Sequence, residues 1–179
     1  MKFTRQDLSR PVMTIVPDLV TLVHSLAYTA IFSAYALVTL HLAPRLWLRH
    51  FPANERERQP PRNRRERIGF LVHAIVFLAG IMFSLPVLSA WWVYGTGADP
   101  DAVFSHIATL GIAAALVDWL VLDWLLIRFL QPAWVIPVGT DPGSWRNIRD
   151  IAKDAVGFFP IGTGLAFGWA YVVSRWVLA

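Results

Sequence analysis

The sequence predicts an all-α membrane protein, a bundle of four transmembrane helices, and three observations carry this prediction. Of its 179 residues, 56% are hydrophobic and 16% are charged, whereas soluble domains carry about 25% charged residues. Four stretches are long and apolar enough to cross a bilayer. The basic residues cluster between alternate stretches, as the loops on one side of a membrane do.

Each predicted span exceeds the roughly 20 apolar residues that a helix needs to cross a hydrocarbon core of about 30 Å. None shows the polar face, repeating every 3.6 residues or so, of a surface helix. The predicted spans are Leu19–Leu42, Ile68–Tyr94, Val103–Phe129 and Ala155–Leu178. The first is too long for the apolar region of a signal peptide, which has about 7–15 residues. The whole chain is therefore predicted to be one four-span domain.

The distribution of basic residues predicts the orientation. Twelve of the 16 lie in the connections 43–67 and 131–152 or beside them, and the loop between the second and third spans has none. Because cytoplasmic loops retain Lys and Arg, these two connections are predicted on the cytoplasmic side of the membrane, with both termini on the other side. Lys2, Arg5 and Arg10 oppose this arrangement weakly.

The connections differ in composition. Residues 43–67 are rich in Arg and Pro, which predicts a solvated irregular loop over the headgroups. Arginines there gain about 1 kcal/mol each from anionic lipid, and an acidic partner is the alternative. The predicted lipid contacts are Arg58, Arg62, Arg64 and Arg65.

Residues 131–152 are rich in Pro and Gly, with Ser144 as a possible helix cap. Thr4 and Asp7 resemble a capping box that predicts a short helix before Pro11.

Several function classes are excluded. The chain has no cysteine, which rules out thiol catalysis, disulfide scaffolds and zinc–cysteine modules. It lacks phosphate-loop, nucleophile-elbow and zinc-protease motifs. The net charge of +4 belongs to the membrane-facing loops, which argues against a nucleic-acid partner. An enzyme is disfavoured but not excluded.

Two aspartates lie inside the third predicted span. Burying such a group costs about 2.5–3.5 kcal/mol, so Asp118 needs a proton, a cation or water. Asp118 and Asp123 are five residues apart, about 140° around an α-helix, which predicts that they do not form a dyad. His73 and His41 lie at a similar depth, and the four residues form a predicted polar cluster. A structural role, a proton or cation path, and a metal site from His73, His41 and Asp123 remain open.

The membrane histidines fall at two depths, as two b-type haems would require. The candidate ligands are His24 and His106 near the outer face and His41 and His73 near the cytoplasmic face. His24 and His41 are about 100° apart around their helix, which disfavours one haem-lined interior. Hydrogen bonds to carbonyls or to hydroxyls such as that of Ser25 are the alternative.

The fourth span contains Gly164 and Gly168, whose spacing lets helix backbones approach closely. We expect them to pack within the bundle rather than against a second copy. Pro86 and Pro160 are expected to kink their spans.

The run from Val117 to Trp124 has the pattern D-x-x-x-x-D-W and is followed by Pro132 and by Pro-Val-Gly-Thr at 137–140. This pattern resembles an uncharacterised family of small bacterial four-span membrane proteins. The resemblance covers Val117–Gly164, implies a location in a bacterial inner membrane and implies no activity. The family pattern has a histidine near the start of the last span, where this chain has Gly-Phe-Phe at 157–159.

Three functions follow as hypotheses. The first is a non-catalytic accessory or assembly subunit of a larger membrane complex, and the possible partners are such a complex or, in a homo-oligomer, further copies of the chain. The second is a small proton- or cation-coupled carrier or channel that uses Asp118 and Asp123. The third is a haem electron carrier that uses the histidines.

Overall fold

The computed structural model describes residues 17–132, 134, 140–146 and 148–178, and these residues contain helices but no strand. The short helix predicted around Thr4 lies outside this range, as does most of the Pro-Val-Gly-Thr turn. The helices are α1 (Leu19–Leu42), α2 (Ala53–Arg58), α3 (Arg64–Tyr94), α4 (Pro100–Leu130) and α5 (Ile148–Val172, continuing as a π-helix over Val173–Val177).

Three of the long helices begin at side-chain caps that the sequence supplies. Asp18 Oδ1 accepts the backbone N–H of Thr21 at 2.7 Å ahead of α1. Asn63 and Glu66 form a reciprocal capping box ahead of α3. Asp99 caps α4, and the proline that follows it occupies the first helical position, where no N–H is needed. These caps start α3 and α4 a few residues before the apolar runs from which their spans were predicted.

Helix α4 lies at the centre of the fold, packed most extensively against α5 and α1 and also against α3. Two groups of buried apolar side chains form the core, one around Leu110 and the other around Ile107. The backbones of α4 and α5 approach each other closely at Gly111 and Ala166. A Cβ atom added at Gly111 would lie 2.5 Å from that of Ala166, so only glycine fits there.

The predicted packing glycines lie elsewhere on α5. Gly164 and Gly168 are exposed, and a Cβ added at either would meet no described atom within 4 Å. The expected close packing at these two positions is therefore corrected: both are two residues from Ala166, about 200° around the helix from the face that meets α4.

Polar contacts group the helix ends at two levels. At one end, which we call the histidine end, Thr21 Oγ1 of α1 bonds His106 of α4. Arg175 pairs with Asp101 at 2.7 Å at the same end. At the opposite end, which we call the arginine end, Arg45 pairs with Glu66 at 2.7 Å.

Three helices among the described residues are long and apolar enough to cross a membrane: α1, α3 and α4. The described part of the chain is thus all-helical and contains three candidate membrane spans. The fourth predicted span, Ala155–Leu178, falls on α5 and its π-helical end, which packs beside α4 but is not one of these three.

The arginine-rich connection is more ordered than the sequence predicted. Pro44–His50 forms a 3-10 segment and α2 follows it. Pro52 precedes α2 and Pro60 follows it, so these prolines bound a helix instead of preventing one. Glu55 on α2 is only 1% exposed.

Candidate functional site

Helix α4 changes its hydrogen-bond pattern at Asp118. Residues Asp118–Leu130 form a π-helix, and at its end the N–H of Gln131 bonds the carbonyl of Leu126, five residues earlier, at 2.9 Å. In this pattern the turns are wider than in an α-helix, so residues five apart lie closer together around the axis than they do in an α-helix. Asp118 and Asp123 are therefore neighbours along one side of α4, and the separation of about 140° predicted for an α-helix does not apply.

Both aspartates line one cavity of about 420 Å³ between the long helices. Ligand sites commonly have volumes of about 300–1,000 Å³ with mostly apolar walls and a few polar groups. Here the walls are mainly aliphatic and aromatic, with Phe32 from α1, Met82 from α3 and Leu165 from α5. Such a cavity is suited to an apolar molecule that also carries a group to pair with carboxylates.

The polar groups of the cavity lie toward the arginine end. The side chain of Asp118 is half-buried and, within the described part of the chain, makes no hydrogen bond or ion pair. Asp123 is half-buried as well and has an interaction partner. Trp145, which is 3% exposed, lines the same cavity, and its indole Nε1 is buried without a hydrogen-bond partner among the described residues. The cavity therefore offers two acidic groups and one unused N–H donor.

A second polar group lies at the histidine end and joins three helices. His106 Nδ1 is 2.9 Å from Thr21 Oγ1, and His106 Nε2 is 2.8 Å from Ser89 Oγ. Ser89 Oγ is also 2.7 Å from His24 Nδ1. We call this sequence of hydrogen bonds, Thr21–His106–Ser89–His24, the histidine chain. Its centre is shielded from solvent, because His106 is only 1% exposed.

The partner hydroxyls differ from those suggested by the sequence. Ser25 donates to the carbonyl of Thr21 instead of bonding a histidine. The actual partner of both rings, Ser89, lies on a helix distant in sequence. It was not predicted from the sequence, and the one available signal was that Ser89 lies about as deep in the second predicted span as His24 and His106 lie in theirs. Spacing along one helix therefore did not reveal this group.

At the arginine end the two remaining membrane histidines have separate partners. His73 Nδ1 is 2.9 Å from the Tyr35 hydroxyl, and its ring lies between the aromatic groups of Tyr35 and Trp47. His41 is exposed and its Nδ1 is 3.0 Å from the carbonyl oxygen of Trp134. Among the described residues no group of three or more His, Asp or Glu side chains is placed to hold a metal ion.

The histidines do not form a haem site as they stand. Both ring nitrogens of His106 are engaged, by Thr21 and Ser89, so neither is directed to an iron. The rings of His24 and His106 lie 5.6 Å apart with the Ser89 hydroxyl bonded to both, which leaves no space for a macrocycle between them. His41 and His73 bond different groups, as described above.

The predicted lipid-binding arginines divide into two pairs. Arg62 donates to the carbonyls of Arg45 and Leu46 at 3.0 and 3.2 Å, and its guanidinium lies 4.2 Å from the centre of the Phe70 ring. Arg58 pairs with Glu55 at 3.4 Å. Arg64 and Arg65 lie on the first turn of α3, and both are exposed, as Arg58 is.

Comparison of the chain with protein-family models, with curated proteins and with solved structures finds no match.

Proposed function

We propose that this chain is a four-span membrane protein that binds an apolar molecule carrying a positive charge in the cavity between its helices. The clustering of basic residues in its two connections supports placing those connections in the cytoplasm, and we propose that the membrane is a bacterial inner membrane. Of the functions predicted from the sequence, this proposal is nearest to the small proton- or cation-coupled carrier or channel that uses Asp118 and Asp123, and it differs in giving the cavity an apolar ligand. The observation that carries the proposal is the position of Asp118 and Asp123 on one side of α4, facing the same largely apolar cavity.

The charge selectivity follows from electrostatics. A carboxylate in an apolar cavity attracts a cation far more strongly than one in water, because the surroundings screen the charge less. The apolar walls stabilise the rest of the molecule by removing its surface from water. The unused N–H of Trp145 provides one donor for an acceptor oxygen on the same ligand.

The binding test uses tetraphenylphosphonium as an apolar cation, with equilibrium dialysis of the full chain in mild detergent. We expect Asp118→Asn to weaken binding at least tenfold, which corresponds to about 1.4 kcal/mol, and Asp123→Asn to weaken it in the same direction. Glu57→Gln is the matched control, since it removes one negative charge from an exposed residue of α2 that does not line the cavity. Equal affinities for the wild type and Asp118→Asn would refute the proposal.

A neutral probe separates charge recognition from simple partitioning. Triphenylphosphine oxide has a similar apolar body and an acceptor oxygen but no net charge. We expect it to bind less tightly than the cation and to be insensitive to Asp118→Asn. A neutral probe that binds as tightly as the cation would contradict the role given to the carboxylates.

The accessory-subunit hypothesis is kept as a second proposal because of the exposed glycines. Gly164 and Gly168 present an open small-residue surface on α5, the type of surface on which transmembrane helices associate. A purified particle heavier than one 20.2 kDa chain plus its detergent, which dissociates in Gly164→Leu, would support it. A monomer in both forms would refute it.

A further inference from the structure

We propose that the histidine chain is a proton relay that leads from the histidine end of the bundle toward the cavity between the helices. The proposal shares the cavity and Asp118 with the proposed function but does not depend on the ligand. It rests on an unbroken series of three hydrogen bonds between groups that can each donate and accept a proton.

The geometry fits proton transfer at every link. The three contacts, Thr21 Oγ1 to His106 Nδ1, His106 Nε2 to Ser89 Oγ and Ser89 Oγ to His24 Nδ1, measure 2.9, 2.8 and 2.7 Å. Neutral imidazole has one donor and one acceptor nitrogen, and a hydroxyl both donates and accepts. The whole chain can therefore point its hydrogens in either direction.

The transfer balances at each atom. His106 Nδ1 takes the hydroxyl hydrogen of Thr21, and Thr21 Oγ1 regains a proton from a water molecule at the histidine end. At the same time the His106 Nε2–H passes to Ser89 Oγ, and the Ser89 hydroxyl hydrogen passes to His24 Nδ1. His24 then releases a proton from Nε2, a nitrogen that has no hydrogen bond within the described residues. Each hop breaks one O–H or N–H bond and forms another, so only a proton moves.

Both ends of the relay lie on α1, and His24 lies deeper in the bundle than Thr21 does. Thr21 and His24 are three residues apart, about 4.5 Å along the helix axis. Tyr28, which lines the cavity, follows one turn after His24. On the other helices Pro86 precedes Ser89 by three residues and Ile107 follows His106 directly, and both also line the cavity. The cavity then continues along α4 to Asp118.

A negative charge at the start of α1 attracts cations, including protons, to the histidine end. Asp18 is exposed at the start of α1, and the hydrogen bond from the Thr21 backbone N–H holds the pKa of its carboxyl below the ordinary value. Asp18 is thus ionised at neutral pH and attracts cations toward Thr21. The ring of Tyr94 packs edge-on against His106, with centres 5.5 Å apart, and Asp101 at this end is already paired with Arg175.

The test measures passive proton entry into vesicles containing the full chain. Pyranine is trapped inside, a pH step is applied, and valinomycin with potassium prevents a membrane potential. We expect the wild type to acidify the lumen faster than protein-free vesicles do. Ser89→Ala should lower the protein-dependent rate at least tenfold, because it removes the group that joins the two rings, and Ser89→Thr should restore it.

Two further variants complete the design. Thr21→Val keeps the size of the side chain but removes the first hydroxyl, and we expect it to slow proton entry as Ser89→Ala does. Ser105→Ala is the matched control, because it is a serine change beside His106 at a side chain outside the histidine chain, and it should keep the wild-type rate. Wild-type vesicles that leak no faster than empty ones, or a wild-type rate in folded Ser89→Ala or Thr21→Val, would overturn the proposal.

Tetraphenylphosphonium binding is measured separately in detergent, so failure of either proposal is seen independently of the other.

Discussion

Gly95 determines how the chain leaves α3 at the histidine end. Its N–H bonds the carbonyl of Trp91 at 2.8 Å, while its backbone has φ 71° and ψ −159°. Only glycine adopts this combination without strain, and other residues held in such regions lose about 1–3 kcal/mol. The space around Gly95 is open, so a side chain there would be opposed by the backbone conformation and not by a neighbour.

We therefore expect Gly95→Ala to lower the free energy of unfolding by about 1–3 kcal/mol. The matched control is Gly164→Ala, which is also in open space but lies in a regular helix. There, alanine should be neutral or stabilise by up to about 1 kcal/mol. Unfolding in mixed micelles with increasing sodium dodecyl sulfate, followed by circular dichroism, measures both. Equal effects of the two changes would contradict the role of the backbone angle.

At the scale of elements, contact between α4 and α5 depends on one small residue. Gly111 allows Ala166 to approach so closely that an added methyl group would overlap with it. Buried interfaces respond to such overpacking by shifting, at a cost of about 1–3 kcal/mol. The sizes of Gly111 and Ala166 are thus matched, and the effects of changing the two residues on the free energy of unfolding should not be additive.

A double-mutant cycle tests this match. Gly111→Ala is expected to lower the free energy of unfolding by about 1–3 kcal/mol. Adding Ala166→Gly removes the methyl group that it meets and should recover part of this loss, beyond what Ala166→Gly does alone. The same micelle unfolding assay provides all four values. Strict additivity would mean that the two residues do not meet.

The helix bounds show what sequence patterns can and cannot predict. Leu19–Leu42 was predicted to the residue, because α1 consists of its apolar run and the cap that precedes it. Helix α3 begins four residues before the predicted span, since its first turn is polar and is started by Asn63. The π-helix beginning at Asp118 was not predictable, because hydropathy does not report whether a carbonyl is bonded four or five residues later. That choice decides whether the two aspartates of the candidate site meet the same cavity.

At the scale of the whole molecule, the two ends of the bundle differ in chemistry. The arginine end contains the arginine-rich connection, while the histidine end contains Asp99 and Asp101. The last described turn closes the histidine end, because the carbonyl of Leu178 accepts the N–H groups of Gly97 and Ala98 at 3.0 and 3.3 Å. The start of α1, the loop after α3 and the end of α5 thus lie at the same end of the bundle.

The proposed orientation is directly testable because the chain has no cysteine to interfere. Single cysteines are introduced at two exposed positions, Thr96 at the histidine end and Asn54 at the arginine end. In intact bacterial cells whose outer membrane has been permeabilised, a membrane-impermeant maleimide should label Thr96→Cys. Asn54→Cys should react only after the inner membrane is opened. The reverse pattern would show that the arginine end faces outward.

The wide turns of α4 connect the shape of this helix to what the cavity holds. If Asp118–Leu130 tightened to ordinary α-helical bonding, Asp123 would move to about 140° from Asp118 around the axis and the acid pair would separate. Any cation that contacts both acids therefore shifts the equilibrium toward the π-helical form of this segment. The size of the shift is set by the difference in the cation's affinity for the π-helical and α-helical forms. Conversely, a substitution that favours α-helical turns in this segment lowers the fraction of molecules in the π-helical form and so weakens the binding of such a cation. Helix type and occupancy form a single equilibrium, and the amide signals of this segment would report both.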